Sequence, residues 1–191
     1  KQKTAYELSL GLVGSEMCIR DRNQMGSFAD KRVVVSGASR GIGLAIAKKL
    51  ASDGASIAIL AMTTEPHAKL PGSIYTAAEV IGEAGGMALP LVTDIRSEDQ
   101  VQAAVAEAAA AFGGIDICIN NASAISLTPT SRTEMRRFDL MFGVNVRGTF
   151  MLSRECLPHL LQAENPHILN ISPPLDMQQK WFAPNVAYTM T

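Results

Sequence analysis

Charge of either sign is nearly balanced: 17 Lys and Arg face 18 Asp and Glu, a formal net charge of −1. That balance excludes attraction to nucleic acid or to an anionic membrane by charge alone. Long hydrophobic runs are missing too, and none approaches the ~20 residues of a membrane-spanning helix. Cysteine is scarce. Cys18, Cys118 and Cys156 stand far apart in sequence, with neither metal-ligand spacing nor a disulfide framework, which points to a reducing, cytoplasmic setting.

What is present reads as one soluble, globular domain. Of the 191 residues, 47% are hydrophobic and 18% charged, enough for a sizeable core and too apolar for a disordered chain. Residues 1–24 fit no element of such a domain. The apolar piece Leu8-Ser9-Leu10-Gly11-Leu12-Val13 is too short and wrongly flanked for a signal peptide. Residues 16–21 back-translate in frame to the mosaic end of a transposase-type sequencing adapter. A non-native or disordered leader is therefore expected over 1–24, with the domain over 25–191 and a natural start at Met25.

From Lys31 onward, short β-branched runs alternate with amphipathic stretches. Strands are expected at 32–36, 56–61, 87–92, 115–120 and 167–171. Between them, Ile42, Ala45, Ile46 and Leu50 make one helical face that Asp53-Gly54 ends. A long loop with Pro66 and Pro71 as breakers precedes a helix over 74–84, stopped by Gly85-Gly86. Ser97-Glu98-Asp99-Gln100 has the form of a capping box, followed by the face Val101, Val105, Ala108 and Phe112. Residues 134–163 read as helix broken near Gly143, with Pro158 in the last turns, and another helix starts at Ala187. Strands alternating with helices predict an α/β fold, a doubly wound parallel sheet of Rossmann-like type, with no repeat or second domain.

Ser36-Gly37-Ala38-Ser39-Arg40-Gly41-Ile42-Gly43 sits between the first strand and first helix. Glycine allows the sharp turn and lets backbone N–H groups approach a pyrophosphate, whose charge the helix N-terminus favours. Gly37, Ala38, Ser39, Arg40, Gly41, Ile42 and Gly43 are thus candidate cofactor residues. The second strand ends in Ala61-Met62, with no carboxylate to bind a ribose 2′-hydroxyl and repel a 2′-phosphate. With Arg40 in the loop, this favours NADP, with NAD as the alternative; Arg40 otherwise reads as a solvated loop charge.

The loop, with Asn120-Asn121-Ala122-Ser123, Val144-Asn145-Val146 and Tyr188, resembles the short-chain dehydrogenase/reductase family over about residues 28–191. The resemblance implies hydride transfer between a nicotinamide cofactor and a small alcohol or carbonyl substrate. It implies cofactor roles for Met62, Asp94, Ile95, Asn120, Ala122 and Tyr188, with Asp94 at the adenine amino group. Asp94 reads equally as a helix cap near Ser97. Asn145 matches an asparagine that holds a water in a proton relay. Tyr188 matches the proton donor of Tyr-x-x-x-Lys, whose i,i+4 spacing puts a lysine on the tyrosine's helical face. A cation there is needed because an unshifted tyrosine is only about one part in a thousand ionised at pH 7. That lysine would be residue 192, so the 191-residue chain is expected to be inactive and an extended chain active.

Ser172 is the candidate for the serine that hydrogen-bonds the substrate oxygen. It lies farther from Tyr188 than is usual, and alignment on the family's paired serines puts Pro173 at the second. Since a one-residue shift turns a strand side chain to the other face, Ser172 either faces the site or satisfies local backbone. Ser36 for threonine, Ser123 for glycine, Met62 and Pro173 are departures from the family pattern. The last three feed a rival reading, a nucleotide-binding module without catalysis. A methyltransferase on a related sheet would leave Tyr188 and Asn145 as coincidences. Homo-oligomerisation of the full-length parent is a further implication of the family.

Overall fold

The computed structural model describes residues 28–66, 72–173 and 178–191. The expected leader and Pro71 lie outside them. Five parallel strands form one sheet: β1 (Arg32–Ser36), β2 (Ser56–Ala61), β3 (Met87–Val92), β4 (Ile117–Asn120) and β5 (His167–Asn170), in the spatial order β3-β2-β1-β4-β5. The helices are α1 (Gly41–Ser52), α2 (Ile74–Glu83), α3 (Glu98–Phe112), α4 (Met135–Met141), α5 (Thr149–Leu160), α6 (Gln179–Phe182) and α7 (Val186–Thr189). The doubly wound parallel sheet expected from the sequence is what forms.

Side chains alternate across the sheet. Val33, Val35, Ile57, Ile59, Ile117 and Ile119 face a core layer completed by Ala47 and Ala51 of α1 and Ile74, Ala77 and Ile81 of α2. Val34, Ala58, Leu60, Leu91 and Cys118 face the other, filled by Val101, Val105 and Ala108 of α3 and Met151, Leu152, Cys156 and Leu160 of α5. Cys118 and Cys156, distant in sequence, are neighbours there. Both are free and buried, and the Cys156 thiol is pushed up by its hydrogen bond with Cys118 and by burial. No helix among the described residues is long and apolar enough to cross a membrane.

Three local readings need correction. The first helix buries Gly43, Ala47 and Ala51, while Ile42 is exposed and Ala45 faces outward. Ile46 and Leu50 do pack against the core as expected, but close packing on the sheet selects the smallest side chains for its centre, so hydrophobicity alone placed Ile42 and Ala45 wrongly. At α3, Ser97 is the N-cap but its hydroxyl makes no capping bond. Instead Gln100 Oε1 accepts from Asp94 N at 2.8 Å. The reciprocal cap forms at α2, between Ser73 and Thr76, where threonine does the work usually given to glutamate or glutamine. Finally, the helix is not broken at Gly143. Residues Phe142–Gly148 continue from α4 into α5 as a π-helix. Its wide turns are seated on the loop after β3, where a Cβ on Gly148 would stand 3.1 Å from Ile95 and one on Gly143 3.4 Å from Arg96.

At the N-terminal end of the sheet, Arg32 and Asp116 clamp β1 to β4. Arg32 Nε and Nη2 each donate to the carboxylate at 2.8 Å, Arg32 N donates at 2.8 Å, and Nη1 caps the Gly113 carbonyl. Arg32 holds the Asp116 carboxyl below the usual carboxylate range. The Asp116 side chain is 7% exposed against 27% for Arg32. Breaking the pair should therefore cost less than the ~3–5 kcal/mol of a fully buried one. Asp116→Asn is expected to destabilise the fold by about 2 kcal/mol in urea unfolding. Because folding lowers this pKa, the contribution is present above an unfolded value near ~3.9 and is lost as pH falls through the folded value. The variant should accordingly lose less stability than wild type on acidification; an unchanged acid limb would contradict the clamp.

Candidate active site

The strand order reverses between β1 and β4, and a doubly wound sheet opens a crevice at the C-terminal ends of such strands. Two polar side chains close the backbone there. The Ser36 hydroxyl accepts from Asn121 N and Ala122 N, both at 3.1 Å, and donates to the Ile119 carbonyl at 3.4 Å. The Asn121 amide returns the contact, donating to the Ser36 and Gly37 carbonyls at 3.1 and 3.0 Å. The loop is thereby pressed against the end of β4. A Cβ on Gly37 would stand 2.8 Å from Ala122 Cα, and one on Gly43 2.5 Å from Asn121 Nδ2 and 2.8 Å from the Gly37 carbonyl oxygen. Asn121 was missed from the sequence, where its neighbours Asn120 and Ala122 were preferred; two asparagines in a row after a strand give no sign of which faces the loop.

Seen from outside, the same loop is open. Gly41 has φ +60° and nothing within 4 Å of where a Cβ would lie, while Ala38 and Ser39 are buried. Ile42 and Met62 expose 63% and 59% of their surface, beside this opening and just past β2 respectively. An open, side-chain-poor turn at a helix N-terminus suits a pyrophosphate. Arg40 is the N-cap residue of α1, and its Nη2 donates to Thr63 Oγ1 at 2.9 Å, so the guanidinium reaches the end of β2.

Beyond β3, the Asp94 carboxylate accepts from Arg96 N at 3.0 Å and from Arg96 Nη2 at 2.6 Å; Arg96 holds it below the usual carboxylate range. The contact with Ser97 N is made by the Asp94 backbone carbonyl, not by the carboxylate. Ile95 is buried against Gly148. Asn120 serves the sheet: its Nδ2 donates to Ser153 Oγ at 2.9 Å and Asn170 Oδ1 at 2.7 Å, joining β4 to α5 and β5, and its own Oδ1 is buried without a partner.

Asn145 stands in the π-helix. Its amide pairs with Ala124 twice, accepting from N at 2.8 Å and donating to O at 3.0 Å, and donates to Thr191 Oγ1 at 3.0 Å. Thr191 Oγ1 in turn donates to the Tyr188 carbonyl at 2.8 Å. The structure thus brings Asn145 and the turn carrying Tyr188 together, with Tyr188 half-buried in α7. Ser172 is not joined to them. It is exposed, and its hydroxyl donates to the adjacent Pro173 carbonyl at 3.2 Å.

A parallel sheet with a glycine-lined loop at its switch point defines a nucleotide-binding α/β protein. Residues 31–188 match the family described as short chain dehydrogenase, and the chain belongs to that family. It is 55% identical over 165 residues to hydroxysteroid dehydrogenase-like protein 2 of Danio rerio and, equally, of Homo sapiens. Each alignment covers 86% of this chain and 40% of the relative, so the chain spans less than half the length of these proteins. Among solved structures, it is similar to a short chain dehydrogenase from Mycobacterium thermoresistibile. That match has 55% identity and a TM-score of 0.82, covering 86% of this chain and 58% of that one. An NAD+-bound xylitol dehydrogenase is 27% identical, with a TM-score of 0.70 over 85% of this chain and 60% of its own.

Gly43→Ala is expected to force the loop from Asn121 and Gly37, straining the fold by about 1–3 kcal/mol and weakening nucleotide binding. Thermal unfolding and calorimetric titration read the two effects; a variant unchanged in both would show that the loop is not seated as described.

Proposed function

We propose that this chain is the nucleotide-binding part of an NADP(H)-dependent alcohol/carbonyl oxidoreductase. The observation that carries the reading is the open loop at the switch point with Arg40 laid across to Thr63, at the end of a strand that carries no carboxylate. The backbone of residues 37–43 would hold the pyrophosphate, Arg40 the 2′-phosphate, Asp94 and Ile95 the adenine, and Met62, Ala122 and Tyr188 further parts of the nucleotide. Asn120 would support them by fixing the end of β4. When bound, the nicotinamide ring supplies or accepts a hydride.

The chain's own residues handle the proton. The Tyr188 hydroxyl would deliver it to the carbonyl oxygen of the substrate, and Asn145 would hold a relay water while fixing the Tyr188 turn through Thr191. The Ser172 hydroxyl would orient the substrate oxygen once turned from Pro173. Small alcohols or carbonyls are the substrate class, a cytoplasmic setting and a homo-oligomeric parent complete the reading, and NAD(H) is the alternative cofactor. The Ser172–Pro173 contact favours a second reading, a nucleotide-binding module without catalysis.

Calorimetry with both cofactors should show tighter binding of NADP(H), and Arg40→Asp should lower the NADP(H)-to-NAD(H) affinity ratio by about tenfold or more. In the full-length parent, Tyr188→Phe should abolish NADPH oxidation with small aldehydes and ketones. Equal or tighter NAD(H) binding would sink the cofactor assignment, and surviving turnover would place the proton donor elsewhere.

A further inference from the structure

The phosphate loop is gripped from the side opposite β4 as well. Gly72, immediately before α2, has φ +106°, and a Cβ there would stand 2.9 Å from the Ser39 carbonyl oxygen and 3.8 Å from Arg40 Cβ. Ser73 follows, buried, and its reciprocal bonds with Thr76 fix the first turn of α2. Ile74 N then donates to the Thr63 carbonyl at 2.9 Å. Thr63 also accepts Arg40 Nη2 on its hydroxyl. The end of β2, the start of α2 and the phosphate loop therefore meet at Thr63, Gly72 and Arg40.

We propose that Thr63 and Gly72 are positioning residues for cofactor selectivity, holding the Arg40 guanidinium where a 2′-phosphate is told from a 2′-hydroxyl. This rests on the reading of Arg40 as the 2′-phosphate ligand. A free arginine side chain loses rotamer entropy when it is fixed, and a planar fork held in place beforehand loses less of it on meeting a phosphate. Thr63 sets that plane by accepting one N–H. Gly72 lets the start of α2 approach the loop closely enough for Thr63 to do so. Its positive φ disfavours any other residue, and the atom a Cβ would meet is a backbone oxygen that cannot rotate away. A side chain at 72 would push Ser73 and Ile74 outward, and with them the Thr63 backbone to which Ile74 is bonded.

The affinities of NADP+ and NAD+ for wild type, Thr63→Val, Thr63→Ser and Gly72→Ala, measured by calorimetry, test this. Thr63→Val should lower the NADP+-to-NAD+ affinity ratio about five- to tenfold by weakening NADP+ alone, the loss expected for one ordinary intramolecular hydrogen bond. Thr63→Ser should restore the ratio, and Gly72→Ala should lower it. A residue needed only for folding would weaken both nucleotides together. An unchanged ratio in Thr63→Val, against a wild type that prefers NADP+, overturns the inference and leaves the Arg40 reading standing. A wild type without that preference overturns the Arg40 reading and this inference with it. Should Gly72→Ala fail to fold, the Thr63 pair decides.

Discussion

Two parallel strands that end side by side, with their chains departing in opposite directions, leave backbone groups that no ladder can pair. At the ends of β1 and β4 this is solved by one hydroxyl and one amide. Ser36 serves Asn121 N, Ala122 N and the Ile119 carbonyl, while Asn121 serves the carbonyls of Ser36 and Gly37. Much else follows from that closure. The loop after β1 must run against Ala122, which leaves no room for a side chain at Gly37. The first turn of α1 must pass Asn121, which leaves none at Gly43.

β4 is fastened on every side. Arg32 and Asp116 join it to β1 at the opposite end of the sheet. Cys118 meets Cys156, and two residues along the same strand face Asn120 meets Ser153, one turn earlier in α5. Asn120 continues to Asn170 of β5. A strand of four residues thus carries the loop after β1 on one side and the helix that follows the Asn145 turn on the other. The polar groups are spent at the strand's ends and the apolar ones between them. That is the arrangement expected when a short, fully buried strand must hold a site rigid at its tip.

The sheet was legible because buried parallel strands are continuous β-branched runs, as at Val33-Val34-Val35, and glycines with positive φ punctuate the helices at Gly54 and Gly85. The glycine-lined turn after β1 was legible because close backbone approach requires glycine, as at Gly37 and Gly43. What escaped depends on three-dimensional neighbours. Periodicity put Ile42 inside α1, whereas close packing put Gly43 and Ala47 there. A capping pattern was read at Ser97 that the side chains do not make, and one was overlooked at Ser73 because Thr76 is an unusual partner. The π-helix answers to Gly143 and Gly148 resting on Arg96 and Ile95, contacts about 50 residues apart in sequence that no local pattern encodes. For the site, Asn145 reaches the turn that carries Tyr188 through Thr191, and neither the linking Thr191 nor the loop-gripping Asn121 carries a signature of its own.

If the Ser36–Asn121 closure is the element on which the nucleotide site depends, the two side chains must act as one unit. A double-mutant cycle on nucleotide binding, with Ser36→Ala, Asn121→Ala and the pair, measures this directly. Each single variant is predicted to weaken binding, and the double variant to be little weaker than the worse single one. Fully additive losses, or single variants that bind as tightly as wild type, would contradict the account.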